Sequence, residues 1–271
     1  MAITPFKINS KDNSKSYEYE FSIFSLVTKK DQYFEFLKSC ENAGFNNKNS
    51  EFGFLDNSSK NKYDGYSGLN EAIHLAKGKY IILIHQDVKL SFDGKEILEN
   101  KIKEIDKVDP KWGVLGNAGG NFDLGEKFIR ISDPANKDLK FGKLPVKVHS
   151  LDENLLIIKS STLLGFSEDL EGFHFYGTDI CQQAMFRGYN CYVIDFHLFH
   201  NSSGNKNLDY IISKNNLIKK YRRKLAHRFI RTTTTRLFLS GNKFLNLLFN
   251  QKDILFLLRK SKIYKLLSLR R

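Results

Sequence analysis

A chain of 271 residues that is 41% hydrophobic and holds 23 Phe has ample material for a packed core, which excludes global disorder and suits one large α/β domain with an appendage. Its net charge of +13 is unevenly spread: residues 219–271 hold 16 Lys and Arg against the single acid Asp253, so the first 218 residues are close to neutral. Cys40, Cys181 and Cys191 lack metal-ligand spacing and residues 1–19 show no secretory signal, which together predict reduced core thiols in a cytoplasmic protein.

Residues 1–16 read as a polar leader. A β-branched and aromatic strand is predicted over 21–27, then a helix over 31–40 with Phe34 and Leu37 at helical spacing. A second strand over 52–55 ends in Asp56-Asn57-Ser58-Ser59. The helix over 68–77 is stopped by Gly78, and an apolar strand over 80–84 ends in His85-Gln86-Asp87. This alternation predicts parallel pairing through right-handed crossovers. A charged helix over 94–108 follows, then a strand over 112–115 running into Gly116-Asn117-Ala118-Gly119-Gly120. That segment lacks the Gly-Lys-Ser/Thr ending of a P-loop, so it reads as a close backbone approach or a turn. Residues 121–145 show no period and read as a loop-rich insertion. Strands over 146–150 and 155–158, a helix over 178–187 ended by Gly188, and a strand over 192–196 lead to His200-Asn201-Ser202-Ser203-Gly204. Trp112 reads as core, and His74 as a structural or exposed mid-helix residue.

The triplet His85-Gln86-Asp87 interrupts an otherwise core-like run, because apolar residues resume at Val88 and Leu90. A carboxylate buried there costs several kcal/mol unless a cation or a donor compensates it. A strand that delivers His and Asp at its C-terminal end places ligands where open α/β sheets bind them. Asp56 has two readings: an acceptor for the N–H groups of a nucleobase, and a turn residue bonding its own backbone.

Taken in order, these motifs resemble a family 2 type glycosyltransferase of the GT-A fold, in the bacterial subgroup whose acidic motif reads His-Gln-Asp. The resemblance covers roughly residues 21–204 and implies an α/β fold with a mixed sheet flanked by helices, over a domain of residues 17–210. It implies that Asp56, Asn57, Asn70, His85 and Gln86 hold the nucleotide of a sugar donor. Asp87 and His200 would bind a divalent metal, Mn2+ or Mg2+, that stabilises the departing diphosphate, and the His nitrogen favours Mn2+. Inversion at the anomeric carbon needs a base to take the acceptor proton. Asp179 leads, at the start of the predicted helix after Phe173-His174-Phe175-Tyr176-Gly177. In many relatives of this family the base lies two places before that Asp, which here is Gly177, so His174, Asp152 and Glu171 stand as competitors. The rival class is a non-catalytic protein that binds a sugar nucleotide or nucleic acid.

Residues 211–271 read as a basic amphipathic helical tail, in which Leu237, Phe238, Leu239, Phe244, Leu245, Leu247, Leu248 and Phe249 alternate with Lys and Arg. No apolar run approaches the roughly 20 residues that span a bilayer. The composition predicts a helix lying on an anionic cytoplasmic membrane face, near a glycan or lipid-linked acceptor, or packing on the catalytic domain. Nucleic acid is not expected as a partner, since the near-neutral domain offers no reading motif. Thr232 to Thr235 read as a local linker.

Overall fold

The computed structural model describes residues 16–202 and 207–251, with positions 253, 254 and 257. Residues 1–15 of the leader predicted over 1–16, together with Ser203 and Gly204, lie outside the described residues. The chain divides into two compact units, Met1–Ser213 and Lys214–Arg271.

In the first unit, β1 (Tyr19–Val27), α1 (Lys30–Asn42), β2 (Ser50–Asp56), α2 (Ser67–Leu75) and β3 (Gly78–Ile84) follow the predicted alternation. Next come β4 (Val88–Lys89), α3 (Lys95–Val108), β5 (Trp112–Gly116), β6 (Ala118–Asn121), β7 (Glu126–Ser132) and β8 (Leu139–Phe141). The unit continues through β9 (Val146–Val148), β10 (Ser150–Leu151), β11 (Leu155–Lys159), α4 (Tyr176–Phe186), β12 (Asn190–Val193), β13 (Leu198–His200) and the start of α5 (Leu208–Leu225). Residues 121–145, expected as a loop, thus contribute β7, β8 and the end of β6. β7 buries only Phe128 and Ser132 of its seven residues, which is why its period is hard to see in sequence.

The larger sheet runs β2-β1-β3-β11-β5-β12-β9. Strands β1, β2 and β3 pair in parallel, β12 is parallel to β5, and β11 runs against both β3 and β5. β3 is central, so every residue from Tyr80 to Ile84 is buried, as a strand covered on both faces requires. α1 buries Tyr33, Phe36 and Cys40, and α3 buries Leu98, Ile102 and Ile105, each set lying on one helical face. Trp112 is core, stacked on Tyr80 with its indole N–H donating to Asp106 at 2.7 Å. Gly78 opens β3 rather than capping α2: a Cβ there would lie 2.5 Å from the Ser22 backbone nitrogen, so β1 and β3 approach only over glycine. The three cysteines are buried and unpaired.

The smaller sheet runs β10-β6-β7-β13-β4, with β8 on β7. Gly116-Asn117-Ala118-Gly119-Gly120 is the step from β5 into β6, with Gly119 against the carbonyl oxygen of Ser150. β13 pairs with β4 so that His200 lies opposite Val88, bringing His200 beside Asp87.

In the second unit, α5 ends in Arg222-Arg223-Lys224 and is followed by β14 (Arg228–Arg231), β15 (Arg236–Leu239) and α6 (Lys243–Phe249). The tail is therefore helical with a hairpin set into it. Thr232 to Thr235, expected as a linker, form the turn between β14 and β15. The Thr232 hydroxyl accepts the Thr235 N–H at 2.8 Å, a side-chain-closed turn. Phe229, Phe238 and Phe249 cluster with ring centroids 4.7–6.0 Å apart, and the Asn250 amide pairs with both backbone groups of Phe238. No helix of the described residues is long and apolar enough to cross a membrane.

Candidate active site

The parallel pairing of β1, β2 and β3 brings three strand ends to one edge of the larger sheet. Val27 lies in register with Asp56, and β3 ends beside them, so Thr28, Asp56, Asn57 and His85-Gln86-Asp87 share that edge. β11 runs the opposite way, with Leu155 opposite Ile84, so Asp152, Glu153 and Asn154 arrive at the same edge from their own side. The His85 N–H donates to the Asn154 carbonyl at 3.2 Å, fixing that meeting.

His85, Asp87 and His200 each offer a ligand atom, and these atoms lie within 4.8 Å of one another. His85 Nδ1 is 3.3 Å from His200 Nε2, which is 3.4 Å from Asp87 Oδ1. Such separations are those of neighbouring donors about one divalent ion with bonds of about 2.1 Å, so the donor set fits a metal. Burial and the charge on His200 hold the His85 imidazole below its usual pKa range. Burial pushes the Asp87 carboxyl up, but the His200 hydrogen bond and the charges of both histidines outweigh it and hold it below the usual range. The sequence reading gave His85 to the donor nucleotide. In the structure its ring stands with Asp87 and His200, because Nδ1 turns toward His200.

A cleft of about 270 Å3 opens beside this cluster, lined by Thr28, Asn57, His85, Gln86, Asp87 and Tyr176 among others. Two of the predicted nucleotide ligands that line it use their side chains on the protein itself. The Gln86 carbonyl oxygen accepts the N–H groups of Thr28 and Lys29, both at 2.8 Å, shaping the turn between β1 and α1. Asn57 accepts from the N–H groups of Lys62 and Tyr63 and donates to the Tyr63 carbonyl. Asp56 is exposed, paired with Lys30 at 2.8 Å and accepting from both the hydroxyl and N–H of Ser58, which is the turn arrangement. The Lys30 bond first, then Ser58, hold it well below the usual carboxylate range. Asn70 stands apart. Its amide bonds both backbone groups of Phe166, and it lines a separate cleft of about 810 Å3 on the other side of α2. The amide thereby ties α2 to the segment before α4 rather than lining the cleft beside His85. His74 is exposed, at the rim of that second cleft.

The candidate bases separate sharply. Asp179 is 0% exposed, with its two oxygens accepting the N–H and hydroxyl of Ser167 at 2.8 and 2.7 Å. A carboxylate so enclosed has no path to an acceptor hydroxyl, so its role is to lock the first turn of α4. His174 lies with its ring edge-on to Tyr210, 5.5 Å away, and Glu171 is exposed. Asp152 is exposed and its charge reaches His85. Glu153, passed over in the sequence, is pushed up to about 8 by burial and by the charge of Asp152. Its carboxylate accepts the Gly177 N–H at 3.3 Å. The adjacency of two carboxylates just before a buried strand was the signal that could have found it.

A second polar group resembles a nucleophilic triad and is not one. Ser132 Oγ lies 2.9 Å from His197 Nε2, and Asp138 is 3.8 Å from His197 Nδ1. Ser132 and His197 are buried, His197 is stacked on Phe92, and the Ser132 hydroxyl accepts the Asp138 N–H. The hydroxyl closes the turn after β7 and presents no face to a substrate.

The mixed sheet flanked by helices, with ligand-type side chains gathered where its parallel strands end, is the α/β architecture with a mixed sheet that the sequence resemblance implies. No protein-family model matches the chain. A protein of Fuscovulum blasticum described as ATP synthase subunits region ORF 6 is 34% identical over 246 residues, covering 89% of this chain and 98% of that protein. The chain belongs to the same family as that protein. Among solved structures it is similar to residues 1–349 of S. aureus TarS in complex with UDP-GlcNAc, at 14% identity and a TM-score of 0.48, over 70% of this chain and 60% of that one. The same TarS fragment with UDP gives 15% identity and a TM-score of 0.46, over 76% and 72%. A197 from STIV gives 12% identity and a TM-score of 0.38, over 70% and 97%. The chain thus spans about 60% of the length of the TarS fragment bound to UDP-GlcNAc.

Proposed function

We propose that this protein is a metal-dependent glycosyltransferase that moves a sugar from a nucleotide-activated donor to a glycan or lipid-linked acceptor with inversion. The observation that carries the reading is the convergence of His85, Asp87 and His200 within 4.8 Å at the C-terminal edge of three parallel strands, beside an open cleft. Those three residues would hold a divalent ion, which when bound supplies the positive charge that a departing diphosphate needs. Thr28, Asp56 and the backbone set by Gln86 shape the nucleotide side of the cleft, and Asp56 offers an ionised acceptor to a base. Asp152, exposed at the same edge, takes the proton of the acceptor hydroxyl, with Glu153 beside it.

Calorimetry with a panel of nucleoside diphosphates, with and without Mn2+, tests the reading. One nucleotide should bind, and more tightly with metal. If none binds under either condition, the transferase reading falls. The glycine at position 177, where many members of the resembled family carry the base, favours a second reading as a sugar-nucleotide binder without turnover. Donor hydrolysis or transfer above background removes it.

The second unit supports attachment to an anionic membrane surface. Phe244, Leu247 and Leu248 lie on one face of α6 and are exposed, with Arg228, Arg231, Arg236 and Lys243 in the same small unit. Apolar side chains set among cations suit an interface of acyl chains and anionic headgroups.

A further inference from the structure

Tyr176 stands where α4 begins, and its ring is fixed on two sides. Tyr66 and Phe166 pack edge-on against it with centroids 6.3 and 5.8 Å away, and the residue is 4% exposed. Its hydroxyl has two partners, the Glu153 backbone carbonyl at 3.4 Å and His85 Nε2 at 3.0 Å. A carbonyl only accepts, so the hydroxyl proton goes to Glu153 and the hydroxyl lone pair faces His85. Nε2 must then carry the imidazole proton. In a neutral imidazole that leaves Nδ1 unprotonated, and Nδ1 is the atom that faces His200 Nε2 at 3.3 Å.

We propose that Tyr176 is a positioning residue for the metal site. By accepting the Nε2 proton of His85 in a hydrogen bond, it presents His85 Nδ1 as a third donor beside Asp87 and His200. The set is then two nitrogens and one carboxylate oxygen. Imidazole donors suit the first-row transition ions, whereas Mg2+ takes oxygen ligands and gives up its water reluctantly, so the site selects Mn2+ over Mg2+. The inference rests on the reading of this edge as a metal site, and it adds the residue that sets the ligand and the ion.

The test uses the full chain without nucleotide, titrating Mn2+ and following the free ion by electron paramagnetic resonance. Tyr176→Phe keeps the ring and removes the hydroxyl, and should weaken Mn2+ binding about 10- to 100-fold, as loss of a partner behind a ligating histidine does. In a His85→Ala background the same change should have no further effect, because the two residues act as one unit. A structural role for Tyr176 would weaken binding equally in both backgrounds, and that result overturns the proposal. Unchanged Mn2+ affinity in Tyr176→Phe overturns it as well, while leaving the metal site and the transferase reading standing. Failure of the native chain to bind Mn2+ removes the metal reading itself, and nucleotide calorimetry then decides separately whether the cleft is a donor site. Should Tyr176→Phe not fold, imidazole 15N shifts in the native chain decide: His85 with its proton on Nε2 supports the proposal, and on Nδ1 overturns it.

Discussion

The Glu153 carboxylate accepts the backbone N–H of Gly177 at 3.3 Å, so a carboxylate from the segment before β11 occupies the first turn of α4 at the residue where many members of the resembled family carry their base. A Cβ at 177 would overlap the carbonyl oxygen of Leu151. No side chain fits there in this backbone, and the acidic groups reach the edge from the facing segment instead.

Gly177→Ala should therefore lower stability without touching nucleotide affinity directly. The clash is with backbone, which cannot swing away, so an overpacking cost of about 1–3 kcal/mol is expected. Urea unfolding would show it as a lower midpoint at an unchanged slope. A stability equal to that of the native chain would mean that Leu151 and α4 are free to separate.

Glu153 gives the protein a pH-dependent stability. Its folded-state pKa is raised from 4.5 to about 8, by burial first and then by Asp152. A raised pKa means that the folded state keeps its proton where the unfolded chain has lost it. The contribution is fully present below about pH 4.5 and is lost as pH rises through about 8. Glu153→Gln should flatten this loss by about 1–3 kcal/mol, since partial exposure screens the full shift. Urea unfolding of both proteins at pH 5, 7 and 9 measures it, and parallel curves would remove the assignment.

Asp152 and Asp179 should behave oppositely. Asp152→Asn should reduce turnover by about 10² to 10⁴, the range for loss of a general base, with nucleotide affinity kept. Asp179→Ala should instead cost stability, about 3–5 kcal/mol, because the Ser167 N–H and hydroxyl lose their buried partner. Steady-state kinetics and thermal unfolding on both variants separate the roles. Full activity in Asp152→Asn would return the base to His174 or Glu171.

Much of this edge was legible in the sequence because strand ends announce themselves. The run Tyr80 to Ile84 is apolar without a break and stops at three polar residues, as a buried central strand of this length does. His200 was expected from the family resemblance, and the pairing of β13 with β4 puts it beside Asp87. Other features were not legible, for reasons of packing. Whether Asp179 faces a cleft or a core depends on Ser167, twelve residues earlier, and no local pattern reports that pair. Asn57, Asn70 and Gln86 are polar where a ligand site is expected, yet their amides satisfy backbone groups up to 96 residues away. The hairpin of β14 and β15 is masked because Leu, Phe and Arg suit helix and strand alike over so short a span.

Attachment to membrane should depend on the second unit and on salt. Near an anionic surface each engaged Lys or Arg contributes about 1 kcal/mol, so a few suffice for measurable binding. The full chain should sediment with phosphatidylserine vesicles at low salt and release as salt rises, since exposed charges are screened within about 10 Å at 0.1 M. Phe244→Ser with Leu247→Ser removes two exposed side chains from α6 and should leave unfolding unchanged within about 0.5 kcal/mol while reducing sedimentation. A chain ending at Ile218 keeps Tyr210 against His174 and Phe175, so it should stay folded, bind nucleotide and lose the vesicles. If the full chain ignores vesicles at low salt, or the shortened chain unfolds, the basic unit serves the fold rather than a membrane.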